Sequence, residues 1–146
     1  MNIIDDLLGG ITGVTSGLWP HPAEKLHPVN GMLRPCPGTP NCVSSESARP
    51  GDHVDPLSFK GAPENAWETL KKVVAAMGGT IQNEENGYLW TTFVVPVLGF
   101  TDDVEFRLDA SAGVIHVRSA SRLGYSDLGV NRMRVEQLRT EFNRRF

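Results

Sequence analysis

The chain is short of the residues and patterns from which function is most often read. It carries two cysteines in 146 residues, which excludes a scaffold stapled by several disulfides. No apolar run approaches the ~18–20 residues of a membrane-spanning helix. Cationic excess is missing as well: 14 basic against 17 acidic residues leave a net charge of −3, which argues against nucleic acid as a partner. There is no glycine-rich phosphate loop and no Cys/His set at finger-like spacing, so the expectation is no metal and no cofactor. What is present, 40% hydrophobic and 21% charged residues, is enough for one soluble domain with a single core rather than a disordered chain.

The net charge conceals an asymmetry. Residues 1–117 hold 7 basic and 14 acidic residues, whereas residues 118–146 hold 7 basic residues, all Arg, against 3 acidic. A balance of −7 is thus joined to one of +4. Arginine presents a planar, multi-donor fork suited to carboxylates and phosphates, where lysine offers a point charge. Either these arginines neutralise acids of the first 117 residues, or they leave a cationic site open.

Residues 1–35 read as an N-terminal arm and residues 36–146 as a single domain. Ile4, Leu7, Leu8 and Ile11 in the arm fall at helical spacing, consistent with a short amphipathic helix that docks on the domain or on a partner. Asp5 and Asp6 stand where a secretory signal needs a basic head. The sequence as it stands therefore points to the cytoplasm, and removal of a native leader would point instead to the cell envelope or periplasm. From 19 to 40 six prolines favour an extended path.

Beyond this the pattern becomes regular. His53–Phe59 alternates weakly, as an edge strand containing Pro56 would. Pro63 suits the first turn of a helix, Trp67, Leu70, Val74 and Met77 line one face of it, and Gly78-Gly79 ends it. Thr80–Glu84 and Tyr88–Val95 flank Asn86-Gly87, which predicts a two-residue hairpin with φ > 0 at both turn positions. In Asp102–Asp109, Val104, Phe106 and Leu108 oppose Asp103, Glu105 and Arg107. Pairing Asp109 with Val114 sets Leu108 against Ile115, Phe106 against Val117 and Glu105 against Arg118, apolar pairs on one face and an ion pair on the other. A final helix runs from about Asn131, placed to cap it, to Arg145, with Val135, Leu138 and Phe142 inward. The expected fold is α+β in two layers: a curved antiparallel sheet of about five strands, order β-α-β-β-β-β-α, with both helices on one face.

Three features carry candidate chemistry. Cys36-Pro-Gly-Thr-Pro-Asn-Cys42 can bend into a small-loop disulfide; buried free thiols or a reactive site are the alternatives. The polar stretch Arg118 to Arg132 leaves a strand, passes Gly124 and Gly129 and enters a helix, and offers Arg118, Ser119, Ser121, Arg122, Tyr125, Asp127, Asn131 and Arg132 to a ligand or partner. The competing reading is a buried polar network in which Asp102 and Asp103 bind Arg118 or Arg122. Asp102, Asp103 and Glu105 also form an acidic group, but strand geometry puts Asp103 and Glu105 on one face and Asp102 on the other. Tyr88 and Trp90 share one face of their strand and Leu89, Phe93 and Val95 the other, so the sheet is covered on both sides or keeps an apolar groove. Trp90 is expected in the core.

Cys-Pro-Gly-Thr-Pro-Asn-Cys-Val-Ser-Ser at 36–45, Gly-Phe-Thr-Asp-Asp-Val-Glu-Phe at 99–106 and Val-Arg-Ser-Ala-Ser-Arg-Leu-Gly-Tyr-Ser-Asp-Leu-Gly-Val-Asn-Arg at 117–132 together resemble the domain-of-unknown-function family numbered 1499, over roughly residues 30–146. The resemblance implies no reaction, substrate or cofactor. It implies occurrence in bacteria and photosynthetic organelles, often with a leader or membrane segment. The functional expectation is accordingly a non-enzymatic module binding a small ligand or protein partner near the 118–132 loop. One alternative is an enzyme acting on a phosphate-bearing substrate through Asp102, Asp103, Glu105, Arg118 and Arg122. The other is a structural subunit docked through the arm.

Overall fold

Residues with alternating polarity build the sheet, and the two stretches of helical periodicity cover it. The computed structural model describes residues 25–95, 99–122 and 129–146. In chain order these form β1 (Cys42–Ser44), a single 3-10 turn at Pro50–Asp52, β2 (Leu57–Ser58), α1 (Pro63–Ala76), β3 (Thr80–Glu85), β4 (Tyr88–Val94), β5 (Thr101–Asp109), β6 (Val114–Ser121) and α2 (Val130–Arg145). The six strands make one sheet, order β1-β6-β5-β4-β3, with antiparallel pairing throughout and β2 also on β6. The fold is α+β, and both helices pack on the same face.

The β5–β6 register is the expected one, with Asp109 opposite Val114, Phe106 opposite Val117 and Glu105 opposite Arg118. That register sends Val104, Phe106, Ile115 and Val117 toward the helices, where they meet Trp67, Leu70, Val73 and Val74 of α1 and Val135, Leu138 and Phe142 of α2. Gly78 at φ +83° terminates α1, its N–H donating to Ala75 while the Gly79 N–H donates to Val74.

Several local expectations are corrected. The edge strand at 53–59 shrinks to the two residues of β2, and a strand not anticipated, β1, occupies the rest of the β6 edge. Both are too short for periodicity to reveal. Asn131 does not cap α2: Gly129, at φ +80°, holds the N-cap position, and Asn131 lies buried inside the first turn. At the β3–β4 turn Gly87 has φ +73° but Asn86 does not share it; Asn30-Gly31, at +52° and +74°, is the Asn-Gly pair with both angles positive. It brings Val29 and Met32 into a two-way backbone pairing, as a tight hairpin of this turn type requires. Trp90 is only half-buried and stands outside the main core.

The second face of the sheet is covered, and its cover is the chain from Lys25 to Cys36. Lys25 pairs with Glu85 at the end of β3, Leu26 and Leu33 are buried, and the Leu33 N–H donates to Glu46 after β1. Beneath this strap lie charges rather than an apolar groove. The amphipathic stretch expected within residues 1–17 lies outside the described residues.

Candidate functional site

The polar face is organised around Glu105. Its position on β5, opposite Arg118 of β6 and flanked by Trp90 of β4, buries it completely. A buried carboxylate persists only with its acceptor sites filled. Here Oε1 accepts from the Tyr88 hydroxyl at 2.7 Å, and Oε2 from Arg118 at 3.1 Å and Arg34 of the strap at 3.3 Å. Burial, and then the neighbouring Glu105 charge, hold the Tyr88 phenol well above its ordinary pKa, so it stays a donor. Burial pushes the Arg118 guanidinium down, although Glu105 works in the opposite sense. Two guanidiniums thus converge on one carboxylate.

One step along β5 on the same face, Asp103 receives a two-pronged contact from Arg122, Nε to Oδ2 at 2.9 Å and NH2 to Oδ1 at 3.0 Å, together with the Trp90 indole N–H at 2.9 Å. In the other direction Arg107 binds Glu46 through NH2 and Nε. Asp102, one residue out of phase, points to the helix face and meets Arg134 of α2 at 2.5 Å. Arg134 also lies over the Phe93 ring and donates to Asn131. Asn131 knits three elements: its Oδ1 accepts from Ser119, and its Nδ2 donates to Ser121 Oγ and to the Asn41 carbonyl. The three carboxylates therefore do not converge, each being held by a different arginine.

A second cluster lies at the end of β1. Ser45 Oγ accepts the Val117 N–H at 2.9 Å and shares a hydrogen bond with His116 Nδ1 at 3.0 Å. His116 Nε2 then faces Glu46 at 3.8 Å and Asp109 at 4.0 Å. Burial is the main reason that His116 titrates below its ordinary range, and Arg107 adds to it, while Glu46 and Asp109 oppose the shift.

Between the strap and the residues after β1 opens a cleft of 520 Å³. Val29 and Met32, 42% and 48% exposed, stand on one wall. Asn30, Arg34, Ser44, Glu46, Ser47 and Arg49 supply its polar groups, and Cys36 also lines it. Cys36 is bonded to Cys42, as expected, and Arg49 donates to the Cys36 carbonyl at 2.7 Å.

The family model described as "Protein of unknown function (DUF1499)" matches residues 32–142. The chain belongs to this family. No curated protein matches it.

Within the DUF1499 match fall all the sequence candidates, and the structure disperses them. Arg118 and Glu105 lie under the strap, with Arg122 and Asp103 beside them on the same face. Ser119, Ser121, Asn131 and Asp102 lie in the packing between sheet and α2. Arg132 reaches the Gly51 and His53 carbonyls. Tyr125 and Asp127 lie outside the described residues. Sequence reasoning missed Arg34, Ser45, Glu46, Arg49 and His116. The one available signal was His116, a polar residue opposite Arg107 in a register already deduced.

Proposed function

We propose that this DUF1499 chain is a non-enzymatic binding module that takes a small ligand in the cleft between the strap and the residues after β1, beside Arg34. The observation that carries this is the exposure of Val29 and Met32 on the wall of a 520 Å³ cleft that also contains Arg34. That volume is within the ~300–1,000 Å³ of small-molecule sites, and apolar walls with a few fixed polar groups are their usual make-up. The Asp102, Asp103 and Glu105 carboxylates are by contrast each paired with a guanidinium, which leaves them little scope as acid–base or metal-binding groups. The Cys36–Cys42 bond favours an oxidising compartment, hence envelope over cytoplasm. Native mass spectrometry of the protein from its own host tests the reading. The wild type should retain a small-molecule adduct, and a Met32→Asp variant should lose it; a bare chain in both counts against the cleft.

A second reading, catalysis, is favoured by one observation. Ser45, His116 and a carboxylate form the order nucleophile, base, acid, although the Ser45 residue is only 8% exposed. Hydrolysis of a p-nitrophenyl ester or phosphate that disappears in Ser45→Ala would establish it, and equal rates in the two proteins would remove it.

A further inference from the structure

The charges around Glu105 do not balance. Arg34 and Arg118 both lie on its Oε2, so two positive groups share one negative group. The adjoining carboxylates are engaged elsewhere, Asp103 by Arg122 and Glu46 by Arg107. The Arg118 side chain is only 8% exposed and cannot move its charge into water; the Arg34 side chain, 35% exposed, reaches from Glu105 to the cleft. The Nε–H groups of both arginines are buried and find no acceptor among the described residues. A buried donor without an acceptor is costly, and a guanidinium satisfies it best with an anion. Ser44, also on the cleft, accepts the Glu46 N–H at its hydroxyl oxygen and so retains a proton to donate. Beyond these groups the wall turns apolar at Val29 and Met32.

We infer that the cleft recognises an amphipathic anion, its carboxylate or phosphate head at Arg34, which shares Glu105 with Arg118, and its apolar body along Val29 and Met32. This rests on the cleft reading above and adds the class of ligand. The head supplies the missing negative charge, and the hairpin turn at Asn30-Gly31 pairs Val29 with Met32 into one apolar wall. Discrimination follows from charge: a neutral molecule with the same tail gains the apolar contact but leaves the excess guanidinium unbalanced.

The test titrates decanoate, decyl phosphate and decanol into the full chain carrying a 13C-methyl label on methionine, and follows the Met32 resonance. Decanoate or decyl phosphate should bind at least about tenfold more tightly than decanol, the scale of one charge-assisted hydrogen bond. Comparison of the two anions distinguishes a carboxylate from a phosphate source. Arg34→Gln should bring the affinities for decanoate and decanol together, Arg34→Lys should keep part of the gap, and Val29→Ser should weaken anion and alcohol alike. Decanol binding as tightly as both anions, or an undiminished gap in Arg34→Gln, overturns the anion assignment and leaves the cleft itself standing. If no probe moves the Met32 methyl, the cleft reading fails and this inference with it.

Discussion

Glu105→Gln isolates the charge at the centre of the polar face. Glutamine is nearly isosteric, so packing is held constant, and its Oε1 can still accept from the Tyr88 hydroxyl that lies 2.7 Å from the native oxygen. Its amide NH2, however, would present donors to the Arg118 and Arg34 donors now on Oε2. Removing one member of a buried ion pair costs about 3–5 kcal/mol, because the other charge stays buried without its partner. Arg118, 8% exposed, bears that penalty; Arg34, 35% exposed, can turn toward water and escape it. The expected loss is therefore at the lower end, about 3 kcal/mol, or a fall in Tm of roughly 6–12 °C for a chain of this size. Urea unfolding followed by tryptophan fluorescence, with scanning calorimetry alongside, measures it. The double variant Glu105→Leu, Arg118→Met should recover much of the loss, short of the Tyr88 hydrogen bond, because well-packed apolar residues can replace a buried pair. A loss under about 1 kcal/mol in Glu105→Gln, or a double variant less stable than the single one, would refute the account.

Replacing both Cys36 and Cys42 by serine should cost roughly 2 kcal/mol, the chain-entropy contribution of so short a loop, and unfolding under matched conditions reads it directly. Gly79→Ala should destabilise by about 1–3 kcal/mol through overpacking, since the added Cβ would lie 2.5 Å from Phe93 Cζ and 2.8 Å from Val74 Cγ1; a neutral effect in calorimetry would contradict that packing. Because the folded state lowers the His116 pKa, the unfolded chain takes up this proton first as pH falls. The stability contributed by neutral His116 is thus complete above about pH 6.5 and is lost as pH falls from there toward its depressed folded value. Urea midpoints at pH 7.5 and 5.5 should separate more for the wild type than for His116→Gln, and equal separations would remove His116 from the acid response.

The parts of this fold visible in the sequence are those in which chemistry repeats at a fixed interval. The alternation in Asp102–Asp109 was enough to assign the β5–β6 register residue by residue, including the Glu105–Arg118 pair. Strand parity likewise separated Asp102 from Asp103 and Glu105. It could not say that Asp102 meets Arg134, because that contact depends on how α2 lies across the sheet, 32 residues away. β1 and β2 escaped for a different reason: three and two residues contain no period, and only pairing to β6 makes them strands. The strap was hidden again, since its proline-rich composition describes an extended path but not the surface it crosses. Arg34, a single charge among prolines, gave no sign that it would lie on Glu105, 71 residues later.

The all-arginine composition of residues 118–146 has a structural origin in the backbone that no strand pairs. The segment from Arg49 to Pro56 is largely irregular, and its carbonyls need donors from outside the sheet. Arg132 donates to the Gly51 and His53 carbonyls together, and Arg139 donates to those of Asp55 and Pro56. Each contact needs two donors held in one plane, which a guanidinium provides and an ammonium does not. Arg118, Arg122 and Arg134 meanwhile neutralise Glu105, Asp103 and Asp102. The +4 segment and the −7 body therefore answer one another across the fold, and the local surplus lies where the strap meets β5 and β6. It is an arginine of the acidic part, Arg34, that leaves Glu105 with one guanidinium too many. The charge available to a ligand comes from the strap laid over the arginine-rich strand, and neither segment supplies it alone.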